Sequence, residues 1–160
     1  MLAPRGEAYM QDVEILLVDD NEADVELTVR ALRERKLAQG IHVVRDGEQA
    51  LDFLFCRGEH AARSFARPPR VVLLDLKMPK VDGIEVLRAI RADPRTRAIP
   101  VAIFTSSKEQ RDLLDGYRLG VNAYVQKPVD FDAFSSVIEQ CGLFWLVVNQ
   151  PPPSAAFGAS

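Results

Sequence analysis

The chain has 160 residues, 48% of them hydrophobic and 27% charged, which suits one domain with a sizeable core and excludes both a disordered chain and two comfortable domains. Its net charge of -3, with no basic block, gives no footing for nucleic acid or for an acidic membrane surface. Cys56 and Cys141 lie far apart without His or Cys at ligand spacing, so a structural zinc site is not expected and both read as thiols of a reducing compartment. The first residues lack the apolar core of a signal peptide, and no apolar run reaches the roughly 18 residues of a membrane span, so a cytoplasmic protein is expected.

Residues 1–12 read as a flexible start, and the folded domain is expected over 13–141. Val13 to Val18 predicts the first strand, continuously apolar from Ile15. Asp19-Asp20-Asn21-Glu22 forms a polar corner that can cap the following helix, with Glu22 and Asp24 suited to the positive end of its dipole. Val25, Thr28, Val29 and Leu32 stripe one face of that helix. A short strand over Ile41 to Val44 and a helix carrying Ala50, Leu51, Phe53 and Leu54 follow. From Cys56 to Arg70 the periodicity stops; this connection is long for its kind and predicts an insertion or contact surface. Val71-Val72-Leu73-Leu74 is a strand buried on both faces, ending in Asp75. Beyond it come a helix with Ile84, Val86, Leu87 and Ile90, a strand from Pro100 to Phe104, a helix over Lys108 to Leu119, a strand from Ala123 to Val125 and a helix over Asp130 to Gln140.

Five strands alternating with five helices predict an α/β fold with a parallel sheet covered on both faces. Residues 142–150 form an apolar extension, Leu143-Phe144-Trp145-Leu146-Val147-Val148, and 151–160 read as a disordered tail opened by three prolines. Nothing after Gln140 is long enough for a further folded module, so the domain's own surface is expected to make its contacts.

In a parallel sheet, Asp19 and Asp20, Asp75, Thr105 and Lys127 converge at one edge, where ligands of open α/β sheets bind. Clustered carboxylates repel one another, and a hard divalent cation such as Mg²⁺ relieves this. Thr105 can donate to a phosphoryl oxygen, Lys127 offers a compact cation, and Asp75 is placed as a nucleophile forming an acyl phosphate.

From Val13 to Gln140 the chain resembles the receiver domain of bacterial two-component response regulators. The likeness rests on Asp19-Asp20, on Leu74-Asp75-Leu76-Lys77-Met78-Pro79-Lys80-Val81-Asp82-Gly83, on Thr105-Ser106 and on Tyr124-Val125-Gln126-Lys127-Pro128. It implies the flavodoxin-like doubly wound sheet of order 2-1-3-4-5. It further implies phosphoryl transfer from a sensor histidine kinase to Asp75 and slow autodephosphorylation. Mg²⁺ would be held by Asp20, Asp75 and the Lys77 backbone carbonyl, with Asp19 acting through water. Thr105 and Tyr124 would form a switch pair, Lys127 would contact the phosphoryl group, and the Lys127–Pro128 bond would be cis. The long 56–70 connection and the Phe144-Trp145 tail resemble the single-domain regulators that serve phytochrome-type kinases.

Each residue alone has a plainer reading: Asp19 and Asp20 as helix caps, Thr105 as a strand-end hydroxyl, Tyr124 as core, His42 and His60 as surface or strand residues. Phe144 and Trp145 are expected at a homodimer interface, the alternative being a lid on the domain's own surface. A phosphatase of the haloacid dehalogenase type wants a second Asp two residues after the nucleophile, where Lys77 stands. A flavin or nucleotide carrier would meet Asp19, Asp20 and Glu22 at its phosphate turn. A phosphorylation-independent, receiver-like binding module is the nearest rival, and the intact constellation speaks against it.

Overall fold

The computed structural model describes residues 13–37 and 39–157; the expectation for residues 1–12 lies outside them. The elements run β1 (Ile15–Val18), α1 (Glu22–Glu34), β2 (Ile41–Val44), α2 (Gly47–Leu54), β3 (Val71–Leu74), α3 (Gly83–Ala92), β4 (Val101–Thr105), α4 (Gln110–Arg118), β5 (Ala123–Gln126) and α5 (Phe131–Leu143). All strand pairs are parallel, and the sheet order is β2-β1-β3-β4-β5, as expected.

Alternation along the strands divides the core in two. Leu16, Val18, Val72, Leu74, Val101 and Ile103 point to the face covered by Phe53 of α2 and by Val86, Leu87 and Ile90 of α3. Ile15, Leu17, Val71, Leu73, Ala102 and Phe104 point to the other, against Val25 and Leu32 of α1 and Phe134 and Ile138 of α5. Each such side chain, removed from water, stabilises by roughly 1.5–3 kcal/mol. Asn21, Asp46, Asp82 and Asp130 cap α1, α2, α3 and α5, each accepting from a backbone N–H three residues on.

Two glycines let loops close on helices. A Cβ on Gly83 would lie 2.3 Å from the Asp75 carbonyl oxygen, and one on Gly47 would lie 2.0 Å from that of Val81. The first turns of α2 and α3 therefore sit directly on the backbone around the β3–α3 loop.

The C-terminal region departs from expectation. Helix α5 continues to Leu143 and runs into a π-helical turn over Phe144–Val148. Phe131–Val148 is thus an 18-residue helical stretch of mean hydropathy 1.3, long and apolar enough by composition to count as a span. The expectation that nothing reaches that length is corrected, because helix and tail are continuous. Phe134, Ile138, Trp145 and Leu146 of this stretch are buried in the core against the sheet and α1, as in a packed helix of a folded domain.

The expected disorder of 151–160 also fails over the described part. Ser154–Phe157 forms a 3₁₀ turn, and Phe157 is buried on the α2–α3 side. The chain thus leaves α5 on one face, crosses the amino edge of the sheet beside Val13, Glu14 and Arg67 to Arg70, and plugs the other. Arg70 donates to the Leu146 carbonyl oxygen at 2.9 Å and ties this strap to the long connection. Phe157 is apolar and distant in sequence from its pocket, which is why a proline-rich composition alone suggested a loose end.

Candidate functional site

The carboxyl ends of β1, β3, β4 and β5 bring the expected side chains together. Asp19, Asp75, Thr105 and Lys127 are all buried, while Asp20 is exposed. One carboxylate oxygen from each of Asp19, Asp20 and Asp75 lies within 4.8 Å of the others.

Lys127, only 7% exposed, sits among carboxylates. Its ammonium donates to Asp19 Oδ2 at 2.7 Å, Asp24 Oδ2 at 2.9 Å and Asp75 Oδ2 at 3.5 Å. The other oxygens are held by backbone: Asn21 N–H donates to Asp19 Oδ1 at 2.9 Å and Leu76 N–H to Asp75 Oδ1 at 2.8 Å. These bonds fix the carboxylates without neutralising them. Burial pushes Asp19 up to about 6, with the Lys127 and Asn21 bonds pulling it back. Burial pulls Lys127 down, but its bonds to Asp19 and Asp24 and the charge of Asp75 outweigh that and leave it above its ordinary value. Three anions around one cation leave an uncompensated negative charge, and the clustered oxygens of Asp19, Asp20 and Asp75 fit a divalent cation.

Sequence reasoning assigned Asp24 only to the helix dipole. Its carboxylate instead reaches back from the first turn of α1 to Lys127. An acid five residues after Asp19, on the inward side of a helix starting at Glu22, was the available signal.

Thr105 ends β4, fully buried, and its hydroxyl oxygen accepts from Ser107 N–H at 3.3 Å. Ser107 donates to Asp112 of α4. Tyr124 lies beside this loop on β5; its hydroxyl is buried and has no hydrogen-bond partner among the described residues. Burial raises its pKa, and the nearby Ser107 side chain, off the geometry of a hydrogen bond, lowers it in part.

Lys77 turns its side chain away from the carboxylates, toward Asp112 at 3.4 Å and Glu109 at 3.8 Å. With Asp20, Met78 and Asp82 it borders an open cavity of about 480 Å³. The Lys127–Pro128 bond is trans, since no cis peptide occurs among the described residues. The expected cis bond is therefore corrected; Lys127 reaches the site with the isomer that X–Pro bonds favour by about 0.5–1 kcal/mol.

The remaining expected residues lie elsewhere. His42 stacks on Phe53 with centroids 4.8 Å apart, and His60 meets His42 edge-on at 5.2 Å, so both belong to the anchorage of the 56–70 connection. Phe144 and Trp145 separate: Phe144 is 46% exposed, whereas Trp145 is 9% exposed and packs in the α1–α5 core. Trp145 is thus no exposed anchor for a partner, a correction of the sequence reading.

Comparison with known proteins agrees with this geometry. The family model described as response regulator receiver domain matches residues 15–139. The probable methanogenesis regulatory protein FilR2 of Methanothrix harundinacea is 43% identical over 141 residues, 88% of each chain. Response regulator Rcp1 of Synechocystis is 35% identical over 132 residues, 82% of this chain and 88% of its own. Its Mn²⁺-bound crystal structure superposes with a TM-score of 0.80, covering 86% of this chain and 97% of that one. The bacteriophytochrome response regulator RtBRR is 51% identical, with a TM-score of 0.68 over 88% of this chain and 84% of its own. With its 2-1-3-4-5 sheet and its acidic strand-end cluster, this chain belongs to the response regulator receiver domain family.

Proposed function

We propose that the domain accepts a phosphoryl group on Asp75 from a phosphohistidine of a sensor histidine kinase. The observation that carries this reading is the buried Asp75 carboxylate, oriented by Leu76 N–H and flanked by Lys127. An Asp75 oxygen attacks phosphorus, the phosphorus–nitrogen bond breaks, and the imidazole leaves with the bonding pair. Asp19, Asp20, Asp75 and the Lys77 carbonyl would hold Mg²⁺, which supplies neutralisation of the charge on the transferring oxygens. Lys127 and the Thr105 hydroxyl bind two of those oxygens. As Thr105 turns toward the phosphoryl group, Ser107 N–H loses its acceptor and the β4–α4 loop and Tyr124 repack, changing the face of α4, β5 and α5. The chain's own chemistry thus makes the acyl phosphate and, more slowly, lets water hydrolyse it. The test is transfer of labelled phosphate from a histidine kinase: Asp75→Asn should take no label, and undiminished labelling sinks the reading.

A phytochrome-type kinase is the donor we propose, supported by RtBRR's likeness and by the long 56–70 connection. FilR2's likeness favours a non-photosensory partner instead. Transfer rates from a phytochrome kinase and from an unrelated one, measured side by side, separate the two.

We also propose a homodimer through α4, β5 and the tail. Leu114, Tyr117, Leu143, Phe144, Val147 and Val148 are exposed there, and a symmetric pair would cover them. Sedimentation of Phe144→Ala/Val147→Ser should show a weaker dimer than the parent chain; a parent that stays monomeric at high micromolar concentration removes the idea.

A further inference from the structure

Resting on the reading of Asp75 as phosphoacceptor, we infer that Asp24 is a positioning residue that holds Lys127 in its resting place and competes with the phosphoryl group for the ammonium. A lysine has three N–H donors and no acceptor. In this structure the three are shared among Asp19, Asp24 and Asp75, at 2.7, 2.9 and 3.5 Å. The two short bonds are to Asp19 and Asp24, and the long one is to the residue that carries the phosphoryl group. A phosphoryl oxygen on Asp75 takes the third, weakly held N–H, and drawing the ammonium toward it into a short bond stretches one of the two short bonds. Asp19 is tied to Asn21 N–H and surrounded by core. The Asp24 side chain is 24% exposed and stands at a helix's first turn, so its carboxylate can turn to water at little cost. Asp24 is the bond that yields.

The consequence reaches past the site. Asp24 belongs to α1, which packs against α5 through Leu32, where a Cβ on Gly142 would meet the Leu32 side chain at 2.7 Å. Loss of the Asp24–Lys127 bond therefore loosens α1 from β5 on the face opposite the α4 loop. Phosphorylation is felt on both faces of the sheet.

Beryllofluoride in excess Mg²⁺, titrated into the full chain, is the probe. Asp24→Asn should bind it about tenfold more tightly than the parent, the low end of what a bond to a charged group contributes, as suits a partly exposed carboxylate. Asp24→Glu, which keeps the carboxylate, should return affinity to within about twofold of the parent. Glu22→Gln removes the same charge from the same helical turn without touching Lys127 and should leave affinity unchanged. If Asp24→Asn binds no more tightly, or Glu22→Gln tightens binding equally, the inference is overturned while the phosphoacceptor reading stands. If the parent takes up no beryllofluoride, the phosphoacceptor reading fails and takes this inference with it.

Discussion

At the carboxyl edge of the sheet, Lys127 faces Asp19, Asp24 and Asp75, three carboxylates around one ammonium. At the amino edge, half-buried cations meet neutral partners instead. Arg63 lies 3.6 Å from the Phe53 ring and donates to the Phe53 and Arg67 carbonyl oxygens. Arg91 donates to the carbonyls of Ile99 at 2.9 Å and Gly120 at 3.0 Å and to Asn122 Oδ1 at 3.0 Å. Burial lowers the pKa of both guanidiniums, yet every donor direction named here has an acceptor. The amino edge is closed hydrogen-bonding space that serves stability. The carboxyl edge is left short of positive charge, a local cost that only a ligand relieves, and that imbalance is the mark of a site.

The strongest way to break the contrast is at the amino edge. Arg63→Ala removes two carbonyl bonds and a cation–π stack beneath the 56–70 connection and should lower unfolding free energy by about 2–3 kcal/mol in urea titration. Label transfer to Asp75 should stay within about twofold of the parent. A large fall in transfer would mean that the two edges are coupled and the division is wrong.

At the other edge the sign reverses. Asp20→Asn removes one of the crowded anions, so the metal-free protein should gain ~0.5 kcal/mol in stability. The same change should weaken Mg²⁺ binding by at least about tenfold. Thermal melts with and without the cation read both effects.

The smallest effect comes from His42. Burial lowers its pKa below the ordinary 6.5, with the charges of His60 and Arg63 adding to the shift and Glu59 opposing it. The unfolded chain therefore binds the proton more readily than the folded one as pH falls through the ordinary value. Stability is whole above that value and declines below it until His42 protonates in the folded state too. His42→Phe keeps the stack on Phe53 and should flatten this slope in urea titrations across mildly acid pH, with Asp75 labelling unaffected.

Much of this was written in local pattern. Runs such as Val71 to Leu74 have only one use, a strand buried on both faces, and sheet parallelism then forces Asp19, Asp75, Thr105 and Lys127 to one edge. What escaped depends on rotation and distance. Asp24 suits a helix N-terminus by composition, and only the set of α1 on the sheet turns its carboxylate toward Lys127. Phe144 and Trp145 are adjacent in sequence, but a helical backbone points successive residues to different sides, so one faces water and the other the core. Phe157 is buried on the side of the sheet that α2 and α3 cover, and nothing near it in the chain announces that.

Gly83 has a mechanical consequence. With no side chain between the first turn of α3 and the carbonyl of Asp75, the proposed phosphoacceptor rests directly against helix backbone along that side. New bulk and charge on Asp75 cannot be absorbed there by recoil. On the proposed reading, displacement would pass to the Thr105–Ser107 loop on one flank and the Asp24 contact on the other. A residue that touches neither ligand nor partner would thereby set the direction of the proposed response.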